Sequence, residues 1–154
     1  MKKQKFSFSE KDKAIVDLVE SSNHKTTAIW AIECVKRVLR FYEETFPEDQ
    51  RPQEAITILH KSIDTGVFSM AVIRKAALDA HAAAREVDQD NAARSAAHAA
   101  GQAVATAHVR THAIAAANYA LQALHRAAST FNAEDEVATE RAWQYQRLPE
   151  LQGN

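Results

Sequence analysis

Residues that interrupt helices or cross-link a chain are scarce in this sequence: its 154 residues include three glycines, three prolines and one cysteine. A single cysteine, Cys34, cannot form an internal disulfide, which fits a reducing compartment, and we expect a cytoplasmic location. No pair of cysteines, no glycine-rich phosphate loop and no Ser-His-Asp order occurs. We therefore predict a protein that is not an enzyme, with no catalytic residue, no cofactor and no metal.

Long apolar runs and an excess of positive charge are also missing. No stretch of 18 apolar residues occurs, so we expect no membrane-spanning helix. The N-terminal segment MKKQKFSFSEKDK has lysines without an apolar segment behind them, and we expect no signal peptide. The 19 Lys and Arg residues balance 20 Asp and Glu residues, so the chain as a whole has no basic footprint for nucleic acid. Neither a membrane nor a nucleic acid is an expected partner.

Alanine dominates the second half of the chain: residues 76–128 are nearly half alanine, with one glycine and no proline. Alanine has the highest helix propensity, and the apolar residues elsewhere recur at helical spacing without strand-like alternation. We predict a single all-α domain over residues 1–154, a compact bundle or stack of six to seven antiparallel helices. Residues 1–8 and 150–154 are expected to be frayed.

The most apolar predicted helix covers residues 27–46 and ends at Pro47. One apolar stripe follows its length, and Trp30 and Cys34 lie on a second apolar surface. Only a narrow polar strip, which includes Glu33 and Arg37, remains. A helix that is apolar over most of its circumference is usually buried on several sides, so we predict that this helix is central.

Capping residues predict where other helices begin and end. Ser9 is the expected N-cap of the first helix, and Asp90 that of the helix after residue 90. Gly66 is expected in the left-handed conformation that ends a helix. One helix over residues 91–128 would exceed the typical length, so we place a break near residues 108–111. The last helix is predicted to end before Pro149.

Three histidines are candidates for chemistry or ligand binding. His108 and His112 are four residues apart, a spacing that can place two imidazoles on one helix face. His81 lies between alanines, and the nearby Asp79 points elsewhere on the helix, so a general base here would lack an orienting acid. The favoured interpretation of all three is a hydrogen-bonded histidine at a helix–helix contact, where alanine leaves room for an imidazole.

Two further positions allow a structural and a functional interpretation. Glu33 is favoured as half of an ordinary ion pair one helical turn away, and the alternative is a carboxylate that lines a groove. Gly101 has Ala97 and Ala105 one turn on either side. Since glycine inside a helix costs about 1 kcal/mol relative to alanine, we expect another helix to approach closely there.

Three segments in order along residues 27–125 resemble the immunity proteins of bacterial polymorphic-toxin systems, in the type-five-like family. They are AIWAIECVKRVLRFYEETFPEDQRPQEAI, MAVIRKAALDAHAAAREV and ARSAAHAAGQAVATAHVRTHAIAAANYALQAL. The most specific parts are Trp30–Cys34, the pair Arg51-Pro52 and AAGQAVATAHVRTHA. This chain has Gln102 where a histidine is common in the family.

The resemblance implies a protein that binds and neutralises a cognate toxin in the cytoplasm without catalysis. Acidic loops and exposed aromatic residues are the expected contacts, since interface cores favour Trp and Tyr. One alternative is a small-molecule pocket lined by His and Glu residues, and another is a helical adaptor with an unknown partner. Homo-oligomerisation stays open. The candidate interaction or pocket residues are Trp30, Glu33, Arg37, His81, His108 and His112.

Overall fold

Eight helices account for most of the residues that the computed structural model describes, which are residues 2–7 and 12–153. In chain order they are α1 (Lys13–Glu20), α2 (His24–Lys36), α3 (Arg40–Thr45), α4 (Arg51–Thr65), α5 (Met70–Arg85), α6 (Ala92–Ala105), α7 (His112–Ala127) and α8 (Ala133–Gln152). No strand occurs in these two described ranges, and the predicted all-α class is confirmed. None of the helices there combines the length and the apolar character needed to cross a bilayer.

The predicted helix over residues 27–46 corresponds to α2 and α3 together. A turn at residues 37–39 separates the two helices, and the amides of Val38 and Phe41 bond to carbonyls only three residues back. Such tight turns are common at helix ends and connections. Counted with this pair as one unit, the described chain has seven helices, which agrees with the predicted number.

Four of the eight helices, α1, α2, α5 and α6, begin at a residue whose side chain caps the helix. Asp12 is the N-cap of α1, and its Oδ1 accepts a hydrogen bond from the Ile15 amide at 3.4 Å. The predicted cap, Ser9, lies outside the described residues. Gly66 ends α4 with a φ of 72°, in the left-handed region, as predicted. The Ser69 hydroxyl caps α5, so only the short segment 66–69 connects the two helices.

The boundaries of α6 and α7 agree with the predicted break, with one correction. Residues 106–111 separate the two helices. The predicted cap Asp90 is wrong: Asn91 is the N-cap of α6, and its Oδ1 accepts from the Arg94 amide at 3.1 Å. Asp90 instead accepts from the Arg94 guanidinium one turn later. Aspartate and asparagine are both good N-cap residues, so the sequence alone does not show which of two neighbouring positions caps the helix.

The last helix is longer than predicted. It passes through Pro149 and ends at Gln152, so the expected end before the proline is wrong, and residues 150–152 are helical. Proline removes one helical hydrogen bond. Here, however, Leu151 packs against the core, and the side-chain amide of Gln152 donates to the Ser22 hydroxyl. These contacts with distant parts of the chain keep the final turn helical.

The N-terminal segment 2–7 is not helical, but it is attached to the end of α7. The Lys3 ammonium donates to the backbone carbonyls of His125 and Ala128 at 2.6 and 3.0 Å. The last carbonyls of a helix lack intrahelical donors and carry partial negative charge, so a lysine is a favourable partner for them.

Two helices form the centre of the protein. α2 contacts α4, α6, α7 and α8, which agrees with its predicted central position. α6 contacts five helices, α2, α3, α4, α5 and α7, and its buried residues are almost all alanine, glycine or serine. Side chains this small let neighbouring helix axes approach closely. The alanine-rich half is therefore interior, and the larger side chains of α2 complete the core from the other side.

Candidate partner-binding surface

Trp30, one of the predicted site residues, is a core residue. Its side chain is fully buried, and its Nε1–H donates to the backbone carbonyl of Gln144 in α8 at 3.0 Å. A partner protein has no access to a fully buried ring. The proposed contact role of Trp30 is therefore corrected to a packing role between α2 and α8.

Two other predicted residues connect the same pair of helices. The Arg37 guanidinium donates to both carboxylate oxygens of Glu140, at 2.6 and 2.9 Å, and its Cζ lies 3.9 Å from the centre of the Trp143 ring. The hydrogen bonds to Glu140 raise the pKa of Arg37. Glu33 accepts from Arg147 at 2.9 Å. The favoured local ion pair of Glu33 is thus wrong, because its partner lies on another helix.

His81 belongs to a cluster on α5, α6 and α7. Its Nδ1 lies 2.7 Å from Nδ1 of His98, and the His98 ring stacks on Tyr119 at a centroid distance of 5.1 Å. Burial, followed by the positive charges of His81 and Arg94, lowers the pKa of His98 to about 4. Burial also lowers the pKa of His81. Both rings are therefore neutral at pH 7, and one donates its Nδ1–H to the other.

His108 and His112 do not share a helix face, because His108 lies within the break at residues 106–111 and His112 is the first residue of α7. The His112 Nδ1 donates to Oε1 of Gln102 at 2.8 Å. The two ring nitrogens of His108 are buried, and no partner for them occurs within residues 2–7 and 12–153. In the same residues no three His, Cys, Asp or Glu side chains come together in a way that could hold a metal ion.

Gly101 accommodates the imidazole of His81 rather than a helix backbone. A Cβ atom added at Gly101 would lie 2.6 Å from Nε2 of His81, closer than real Cβ contacts allow. The sequence therefore indicated correctly that space is needed at this position, but the occupant is a side chain. This contact also positions His81 for its hydrogen bond to His98.

We expect Gly101→Ala to lower the free energy of unfolding by about 1 kcal/mol, since His81 must move away and its hydrogen bond to His98 is lost. In a His81→Ala background the same change is expected to stabilise by up to about 1 kcal/mol, because alanine has the higher helix propensity. Urea unfolding of the four proteins of this cycle measures the difference. An effect of the same sign in both backgrounds would contradict the proposed contact.

An exposed apolar surface lies where α4 meets α5. We call it the corner patch, and its side chains are between 46% and 70% exposed: Val67, Phe68, Met70 and Val72. Gly66 ends one helix and Ser69 starts the next, so the connection is too short to fold these side chains inward. Clustered exposed apolar side chains are typical of interaction sites.

A pocket of about 460 Å³ adjoins the corner patch, with Phe68 as one wall. It lies between the start of α2 and the end of α4, and its volume is in the range of ligand-sized pockets. The other lining residues are His24, Lys25, Ala28, Ile63, Gly66 and Ala107. A protruding apolar edge beside a mainly apolar recess is an arrangement that can bind the side chains of another protein.

The corner patch was not among the predicted contact residues, because apolar residues at helical spacing do not reveal which of them the tertiary structure leaves exposed. A signal was present: Gly66 and Ser69 are three residues apart, so the residues near them cannot all occupy one buried helix face.

Comparison with protein families gives a match. The model of a family described as Imm-5 like putative immunity protein matches residues 17–151. No curated protein and no solved structure matches the chain. The matched range contains all of α2 to α7, including the corner patch and the histidine cluster.

Proposed function

This chain belongs to the Imm-5 like putative immunity protein family, and from that premise we propose that it binds and neutralises a cognate bacterial toxin in the cytoplasm. The protein acts by association rather than by catalysis, and it covers the active site of the toxin or a surface beside it. The corner patch is the proposed contact surface.

The exposure of the corner patch is the observation that supports this surface best. All four of its side chains are large and apolar, and each is at least 46% exposed in a chain of only 154 residues. Aromatic residues and Met are enriched in the cores of protein interfaces. The adjoining pocket can receive a side chain of the toxin, as anchor residues do at interface hot spots.

The alternative function, a small-molecule pocket lined by His81, His108, His112 and Glu33, has less support. The polar groups of such a pocket would face one cavity. Instead Glu33 is paired with Arg147 between α2 and α8, and His81 is hydrogen-bonded to His98 between α5 and α6. A helical adaptor would also use the corner patch, but it would not protect against a toxin.

Co-expression with the toxin encoded by the neighbouring gene in the native host tests the proposal. The wild-type protein is expected to restore growth and to co-purify with the toxin. Phe68→Ser combined with Met70→Ser is expected to weaken binding at least about tenfold, since hot-spot side chains contribute about 2 kcal/mol or more each.

Phe131→Ser is the matched control, because Phe131 is an aromatic residue that is 85% exposed in the segment between α7 and α8. It is expected to leave protection unchanged. If the wild-type protein neither protects nor co-purifies, the proposed function is wrong. If the control variant loses protection and the corner-patch variant does not, the contact surface has to be moved to the α7–α8 connection.

A further inference from the structure

The outward face of α5 continues from the corner patch and alternates apolar and basic side chains. Met70, Arg74, Leu78 and Arg85 fall within an arc of about 80° at 100° per residue. Leu78 is 60% exposed, and both arginines are exposed as well. The face is thus open to a partner at these four positions, whereas His81 on the same arc packs against Gly101 of α6.

The two arginines on this face have uncompensated charge. Neither Arg74 nor Arg85 makes a hydrogen bond or an ion pair with the residues that the structure describes. Asp79 on the same helix already accepts from Lys75 at 2.6 Å. Glu86 pairs with Arg51, which also binds Asp49, so the positive charge offered by this face is that of Arg74 and Arg85 themselves.

We propose, on the basis of the proposed function, that the α5 face binds a segment of the toxin that contains both acidic and apolar side chains. The carboxylates of that segment pair with Arg74 and Arg85. At a rise of 1.5 Å per residue, Arg74 and Arg85 are about 16 Å apart along the helix axis, and Met70 and Leu78 are about 12 Å apart. The toxin segment accordingly has carboxylates and apolar groups interleaved at these separations. Guanidinium groups bind carboxylates through paired hydrogen bonds, which also determines orientation.

The apolar side chains on the face favour a protein over a nucleic acid. Met70 and Leu78 have no partner on a phosphate backbone, whereas Met and Arg are enriched together in the cores of protein interfaces. The chain as a whole carries a net charge of −1, so it lacks the general attraction to polyanions that nucleic acid-binding proteins show.

The test is the affinity of this protein for the purified toxin domain that the neighbouring gene encodes. It is measured by titration calorimetry at low and at high salt. Arg74→Glu combined with Arg85→Glu is expected to weaken binding at least about tenfold, because it sets like charges against each other. Arg74→Lys combined with Arg85→Lys is expected to recover most of that loss. Thermal melts are expected to show only a small fall in melting temperature, since neither arginine has a side-chain partner within the described chain and Arg85 loses its favourable place in the last turn of α5.

Lys2→Glu combined with Lys36→Glu is the control, since both lysines are exposed and the net charge changes equally. It is expected to change affinity less than threefold, in the range of rim charges. If the variant with charge reversal on α5 binds the toxin as tightly as the wild-type protein does, the proposal of an acidic partner segment is wrong. The proposed function is unaffected by that result. No binding by the wild-type protein would overturn both. Binding of single-stranded RNA that depends on these arginines, with toxin affinity unaffected, would assign the face to nucleic acid instead.

Discussion

Replacing Trp30 by alanine is expected to lower the free energy of unfolding by about 3–5 kcal/mol. The indole is fully buried between α2 and α8, and its loss opens a large cavity and removes the hydrogen bond to the Gln144 carbonyl. Small proteins have a total stability of about 5–15 kcal/mol. The variant should therefore unfold at a much lower urea concentration, which far-UV circular dichroism can follow.

Two variants separate the parts of this effect. Trp30→Phe keeps most of the packing and removes the hydrogen bond, so a loss of about 1–2 kcal/mol is expected. Phe131→Ala removes an aromatic side chain that is 85% exposed, and a change within about 0.5 kcal/mol is expected. Equal losses from Trp30→Ala and Phe131→Ala would show that the indole is not part of the core.

Arg37→Met is expected to destabilise the protein by about 2–4 kcal/mol. The Glu140 side chain is only 8% exposed, whereas that of Arg37 is 44% exposed, so removing the guanidinium leaves a buried carboxylate without its partner. Methionine keeps an apolar stem beside the Trp143 ring, which limits the change to the charge pair.

Combining Arg37→Met with Glu140→Met should restore most of the lost stability, because an apolar pair can replace a buried ion pair at little cost. Lys75→Met is the control: it breaks an ion pair of equal length whose side chains are 77% and 41% exposed, and a change within about 0.5 kcal/mol is expected. Toxin affinity separates the roles of Arg37. If Arg37→Met left stability unchanged but weakened toxin binding, Arg37 would be an interface residue and not a residue that holds α8 against α2.

Several predictions that depend on neighbouring residues succeeded, and several that depend on contacts between residues far apart in sequence failed. Gly66 was identified correctly because a left-handed glycine that ends a helix acts within a few residues. The end of α8 was not, because Leu151 and Gln152 are stabilised by residues far away in sequence. Likewise Glu33 has arginine and lysine neighbours one turn away, but it pairs with Arg147.

The sequence by itself determined the helical class, the end of α4 at Gly66, the break between α6 and α7, the buried character of α2 and the need for a glycine at position 101. Helix propensity, periodicity and capping are local, so they can be inferred without knowing which helices become neighbours. Only the tertiary structure decided the partners of the candidate residues. Arg37 pairs with Glu140, and His81 is hydrogen-bonded to His98 and packs against Gly101. It also decided that Trp30 is inaccessible and that the corner patch is exposed. Periodicity specifies which face of a helix is apolar, but the packing of the other helices determines whether that face is covered.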